Sequence, residues 1–256
     1  MTPLALHPDR LFPVDPGLRA LARSLYATVA TLPIVSPHGH TDPQWYADDA
    51  PFPNASALFI TPDHYVFRML YSQGVPLEAL GIPPRADAAA GSRAGGAVET
   101  DARKIWHRFA AHWPLFRGTP TRVGLDHAFH EGVGSRERLE PANADAIFDR
   151  INAALATPEF RPRALFERFG IEVIATTESP LDPLAHHAKI RASGWSGRVI
   201  TAYRPDPVAD PEFEGFRANV ERFGALAGEN AATWTGYLAA HRNRRAFFAS
   251  MGATST

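Results

Sequence analysis

Residues 16–30, PGLRALARSLYATVA, place Leu18, Leu21, Leu25 and Val29 three and four positions apart, the spacing of one face of an α-helix. Pro33 interrupts that pattern, and Ile34–Val35 reads as a short strand. TPDHYVFRMLYSQG (61–74) returns to the helical period, with Val66, Met69 and Leu70 on one face. Thr61-Pro62-Asp63 is its start signal, Pro62 suits a first helical turn, and Gly74 is a natural stop. DARKIWHRFAAHW (101–113) and NADAIFDRINAAL (143–155) are two more helices by the same rule. The intervening PPRADAAAGSRAGGAVET (83–100) is rich in Gly and Ala. It reads as a surface connection, because no Gly-rich motif there leads into Lys-Ser/Thr as a phosphate loop would.

After residue 160 the pattern changes. RPRALFERFG (161–170) is a helix closed by Gly170, and IEVIATTE (171–178) is a strand by its β-branched residues. PLDPLAHHAKIRASG (180–194) is a helix ending at Gly194, and RVITAYRPD (198–206) is a second strand. FRANVERFGALAG (216–228) and WTGYLAAHRNRRAFFASMG (234–252) are helices, and the closing GATST opens a third strand of this region. Strand and helix alternating over short connections predict parallel βαβ units and an α/β fold. No internal repeat and no linker between independent domains is visible, and 256 residues allow a large core.

Composition narrows the function. The net charge of −1 supplies no basic excess for a nucleic acid or an anionic membrane. The absence of cysteine excludes disulfides, thiolate metal sites and a Cys nucleophile. No apolar run reaches the roughly 18 residues of a membrane span, and the N-terminal MTPLALHPDRLFP has no signal-peptide core. The expectation is a cytoplasmic protein with neither a nucleic-acid nor a membrane partner.

Candidate chemistry begins where the first strand ends. In LPIVSPHGHTDPQ, His38 and His40 flank Gly39. Alternate residues of an extended chain point the same way, so two imidazoles can converge, with Gly39 leaving room for a ligand. Imidazole is a usual zinc ligand, and the C-terminal ends of barrel strands form the catalytic face of β/α barrels. With 11 histidines in the chain, the spacing alone is equally that of two polar residues in a turn. His64 and Tyr65 are consecutive at a helix start, where neighbours diverge by about 100°; a capping His beside a packed Tyr is the plain alternative. Arg204 follows a strand and could clamp a carboxylate with two parallel hydrogen bonds, or pair with Asp206. Thr176, Thr177 and Glu178 end the preceding strand and could line the same mouth. His186 and His187 read as surface or packing residues, and Trp106, Trp113 and Trp234 as core.

Taken together, these residues resemble the uronate isomerase (glucuronate isomerase) family of the amidohydrolase superfamily. The resemblance rests on LPIVSPHGHTDPQWYADDAPF, DHYVFRMLYSQGV, NADAIFDRINAAL, LFERFGIEVIATTESPLDPLAHH, VITAYRPD and MGATST, in the family's order across nearly the whole chain. It implies a distorted (β/α)₈ TIM-type barrel with a helical insertion after the first strand. On that reading residues 1–256 form one incomplete barrel domain, 41–160 the helical insertion and 161–256 the βα units. The resemblance further implies that His38 and His40 are ligands of a divalent metal, zinc by ligand type, that His64 and Tyr65 reach the site as catalytic residues, and that Arg204 contacts a uronate substrate.

One departure stands out. Family members are close to twice this length, with an Asp-His-Gly-His segment after the equivalent of MGATST and a third metal ligand, an aspartate, further on. The chain therefore reads as the N-terminal half of the enzyme, a truncated gene or a partial sequence. The implied reaction is aldose–ketose isomerisation of D-glucuronate to D-fructuronate and D-galacturonate to D-tagaturonate. Weak metal binding and little activity are expected of this chain alone. Its expected partners are a homo-oligomeric copy or a polypeptide supplying the missing C-terminal half. Two other readings are a metal-dependent hydrolase of the same superfamily, against which DHYVFR and YRPD argue, and a non-catalytic fragment.

Overall fold

The computed structural model describes residues 2–84 and 97–256, so most of the Gly/Ala-rich segment 83–100 lies outside the described residues. In chain order the main elements are α1 (Pro16–Ala27), β1 (Ile34–Ser36), α2 (Pro43–Asp48), α3 (Ala55–Phe59), α4 (His64–Ser72), α5 (Ala102–Ala111), α6 (Pro120–His127) and α7 (Ala144–Leu155). They continue with α8 (Pro162–Arg168), β2 (Ile171–Glu178), α9 (Ala185–Ala192), β3 (Arg198–Tyr203), α10 (Asp206–Ala209), α11 (Phe216–Ala227) and α12 (Trp234–Ser250). The chain divides into two compact units, residues 1–30 with 51–161, and residues 31–50 with 162–256.

The first unit is helical. Its centre is an aromatic cluster in which Trp106, Phe109, Trp113, Phe116 and Phe129 are buried with ring centroids 5.1–5.9 Å apart, spacings at which tilted and edge-to-face rings attract. The Trp106 indole N–H donates to the Ala144 carbonyl at 2.9 Å, tying α5 to α7. Asn152 of α7 accepts the Ala55 N–H at the start of α3, also at 2.9 Å. Helix α4 buries Val66 and Leu70. It starts one residue after Asp63, whose carboxylate accepts the Tyr65 and Val66 N–H groups, so Pro62 lies outside the helix and not in its first turn.

The second unit holds a parallel sheet in the order β1-β2-β3. One face is covered by helices: Ile174 and Val199 pack with Tyr46 and Ala47 of α2, Phe166 of α8 and Ile190 of α9. Tyr46 stacks on Trp195 with centroids 6.1 Å apart and planes 10° apart. Two predicted elements change. The helix expected from residue 180 begins at Ala185, because buried Leu184 takes a left-handed φ of 56° just ahead of it. The closing residues do not extend the ladder; the Tyr203 N–H donates to the Ser255 carbonyl at 3.0 Å, and the turn at Gly252 (φ 95°) precedes them. Trp234 is not core: it is 72% exposed at the start of α12, stacked on Tyr237 at 5.7 Å.

Candidate active site

Parallel pairing puts the C-terminal ends of β1, β2 and β3 on one side of the sheet of the second unit. β1 ends level with Ile174, since Ser36 pairs with it. The segment that follows runs on beside β2, where the Thr177 hydroxyl donates to the Gly39 carbonyl at 2.7 Å. That bond anchors the peptide between the two histidines. Their Nε2 atoms lie 3.2 Å apart, with ring centroids at 5.2 Å and planes at 68°. The sequence expectation of converging imidazoles therefore describes the geometry. A Cβ at Gly39 would meet the Ala175 carbonyl at an ordinary 3.5 Å.

Two nitrogens bound to one tetrahedral zinc stand about 3.3 Å apart, given Zn–N bonds of about 2.0–2.1 Å. The His38–His40 separation fits one cation as it stands. Among the described residues no third His, Asp or Glu joins them to complete a ligand set.

Arg204 directly follows β3, and its main-chain N–H donates to the Glu178 carbonyl at 3.0 Å, which fixes where its side chain departs from the sheet. Its Nε donates to Asp206 at 2.5 Å, the ion pair weighed from sequence. Both side chains are about half exposed, and the bond uses Nε, leaving the two η nitrogens for a planar two-oxygen partner.

In the first unit, His64 and Tyr65 open α4, their rings side by side with centroids 4.2 Å apart. His64 is half-buried and Tyr65 68% exposed. The cap is Asp63, so neither residue is spent on capping. The structure thus brings His38 and His40 together, sets Arg204 at the same end of the same sheet, and keeps His64 beside Tyr65.

One buried polar cluster joins residues that the sequence reading kept apart, Thr176 and Glu178 at the strand mouth and His187 among surface or packing positions. On the helix-covered face, Thr176, Glu178, Thr201 and His187 are all buried. The Thr176 hydroxyl lies 2.9 Å from His187 Nε2 and 3.2 Å from the Ile200 carbonyl. The Thr201 hydroxyl donates to the Glu178 carboxylate in a short bond, and His187 Nε2 lies 3.8 Å from that carboxylate. Burial pushes the Glu178 carboxyl above the usual carboxylate range, against the pull of the Thr201 and Thr176 hydroxyls. Burial likewise holds the His187 imidazole below its usual value. The alternation of Thr176 and Glu178 with Ile174 was the available signal, because i, i+2 and i+4 of a strand share a face. Beside it, the Tyr203 hydroxyl, pushed up to about 12 by burial, bonds His241 Nδ1 at 2.8 Å.

The family model described as Glucuronate isomerase matches residues 18–256. The chain is 63% identical over 254 residues to the uronate isomerase of Rhizorhabdus wittichii, and 64% identical over 253 residues to that of Xanthomonas axonopodis pv. citri. Each match covers 99% of this chain and 52% of the relative. Among solved structures, glucuronate isomerase from Caulobacter crescentus superposes with a TM-score of 0.90 at 55% identity, over 99% of this chain and 51% of its own. Uronate isomerase from Thermotoga maritima does so with a TM-score of 0.81 at 25% identity, over 98% and 51%. The chain spans about half the length of the curated relatives it matches. Parallel βα units carrying His38, His40 and Arg204 at one sheet end, and a family match over nearly every residue, lead to one assignment: this chain belongs to the glucuronate isomerase family.

Proposed function

We propose that the chain supplies half of an enzyme that interconverts aldose and ketose forms of hexuronates, D-glucuronate with D-fructuronate and D-galacturonate with D-tagaturonate. The observation that carries the reading is the pair of Nε2 atoms converging to 3.2 Å at the C-terminal end of the sheet, in a chain 63–64% identical to proteins named uronate isomerase. The three strands and their helices are read as part of a (β/α)₈ barrel, whose C-terminal face is where such folds place chemistry.

The reaction needs no external oxidant. The C2 proton leaves, its electron pair forms the C1–C2 enediol, and the C1 oxygen takes up a proton. The O2 proton then leaves as the C2 carbonyl forms, and C1 receives a proton. A divalent cation on His38, His40 and a carboxylate from outside this chain, zinc by ligand type, would act as a Lewis acid toward the sugar oxygens. Arg204 is assigned the uronate carboxylate, for which its two η nitrogens have the matching fork. Tyr65 and His64 are assigned the proton transfers. With two ligands among the described residues, the chain by itself is expected to hold zinc weakly. Among the described residues no helix is long and apolar enough to cross a membrane.

The test is a chimera in which this chain continues into the residues of the Rhizorhabdus wittichii relative that follow the matched stretch. Turnover of glucuronate is expected. His38→Ala and His40→Ala should each lower zinc affinity at least ~10-fold by calorimetry, in line with loss of a metal ligand, and Arg204→Met should raise KM more than it lowers kcat. A folded chimera inactive on both uronates would refute the reading, and turnover of esters or amides instead would favour the hydrolase.

A further inference from the structure

Side chains along β2 alternate between the two faces of the sheet. Thr176 and Glu178 turn to the helix-covered face, where they meet His187 and Thr201. Thr177, between them, turns to the opposite face. It is half-buried, and β3 holds it in register opposite Ala202. Its hydroxyl donates to the Gly39 carbonyl at 2.7 Å, a bond between residues 138 positions apart. The ladder between β1 and β2 has already ended at that level, its last pair being Ser36 with Ile174.

The carbonyl that Thr177 holds belongs to the peptide joining Gly39 to His40. Glycine turns about its backbone more freely than other residues, so a glycine between two imidazoles is a soft joint. Rotation at that joint swings the His40 Cα relative to that of His38 and carries the rings apart. Both imidazoles are exposed, so burial in a core does not account for the 3.2 Å between their Nε2 atoms. A bond from a strand that is paired on its far side and anchored on its other face does account for it.

We propose that Thr177 is the positioning residue of the imidazole pair. Its hydroxyl fixes the Gly39–His40 peptide plane, and the fixed plane holds the two nitrogens at the separation that one divalent cation bridges. The consequence for metal affinity rests on the reading of His38 and His40 as metal ligands given above; the placing of the rings does not.

The test compares Thr177→Val, which keeps the shape and β preference of threonine without its donor, with Thr177→Ser, which keeps the donor. Zinc is titrated into the whole chain by calorimetry. The heat taken up by the His38→Ala/His40→Ala chain, which reports binding at other histidines, is subtracted. Thr177→Val should raise the dissociation constant of the remaining site about fivefold, the factor that one ordinary hydrogen bond is worth. Thr177→Ser should change it by less than about twofold. With His40→Ala in place there is no pair to hold, and Thr177→Val should then alter binding by less than about twofold. A role confined to stability lowers the unfolding midpoint without that dependence on His40. The rings are also read directly, in a chain isotopically labelled at its histidines. The cross-relaxation peak between His38 and His40 ring protons should be present in the parent and in Thr177→Ser, and lost in Thr177→Val. An unchanged peak in folded Thr177→Val overturns the proposal, and so does an equal loss of affinity with and without His40. A peak lost in Thr177→Val, in a chain whose parent takes up no zinc at the pair, leaves Thr177 as the positioning residue and removes the metal reading.

Discussion

At the residue scale, the two histidines and the buried Glu178 cluster obey the same rule with different outcomes. His38 and His40 lie outside the core, and their Nε2 atoms face each other across a segment whose Gly39 carbonyl Thr177 anchors. Because Gly39 has no positive φ and its Cβ position is open to ordinary contact, Gly39→Ala should fold within about 1 kcal/mol of the parent, as measured in urea. Glu178 and His187 titrate in opposite senses. The Glu178 carboxyl is raised from an ordinary value of 4.5, so its contribution is full below that value and is lost as the pH rises through the folded one. The His187 value is depressed from 6.5 by burial, with His186 and Arg191 acting in the same direction and Asp182 against it. Its contribution is present above 6.5 and is lost as the pH falls through the folded value. Glu178→Gln, which keeps an acceptor for Thr201, should match the parent near pH 4.5 and gain on it toward pH 7.5 in thermal unfolding. His187→Gln should flatten the parent's loss of stability between pH 7.5 and 5.5.

At the scale of elements, caps and loop clamps decide boundaries that periodicity leaves loose. The Asp63 carboxylate accepts the Tyr65 N–H at 2.8 Å and shares the Val66 N–H with the Asp63 carbonyl, and Asp63→Ala should cost about 1 kcal/mol in denaturant titration. Arg244 of α12 is buried and donates to the Pro180 carbonyl at 2.9 Å and the Asp182 carbonyl at 2.8 Å, closing the loop between β2 and α9. Arg244→Met leaves the carbonyl of buried Pro180 without this partner and removes the bond to Asp182, and should destabilise by about 2–3 kcal/mol. The same clamp explains why α9 starts late: with Asp182 also accepting the Leu184 N–H at 2.6 Å, residues 180–184 are spent on the turn.

For the whole molecule, β1 is an edge strand of the sheet among the described residues, with Ile34 and Val35 half exposed, and the leucines of α1 are exposed as well. An unpaired parallel edge offers a template for intermolecular pairing. Val35→Lys should therefore reduce light scattering on concentration without lowering the unfolding midpoint, since Val35 is already 58% exposed. If scattering is unchanged, the edge is not the sticky surface and α1 is left as the source.

The α/β class, the three strands, most helices and the convergence of the His38 and His40 rings were legible in the sequence, because hydrophobic period and i, i+2 alternation are local properties of the chain. The aromatic core of the first unit followed in kind, although Trp234 did not, since a tryptophan at a helix start has no local mark of burial. Tertiary structure alone decided which face of α1 was engaged, where α9 began, that Glu178 would sit beside His187 with its carboxyl driven upward, and that His38 and His40 would approach to zinc-ligand separation. Those outcomes depend on distant partners: Asp9 for Arg23, Arg244 for the β2–α9 turn, Thr177 for Gly39. Burial and long-range hydrogen bonds belong to residues far apart in the chain, and no window of sequence contains both ends of them.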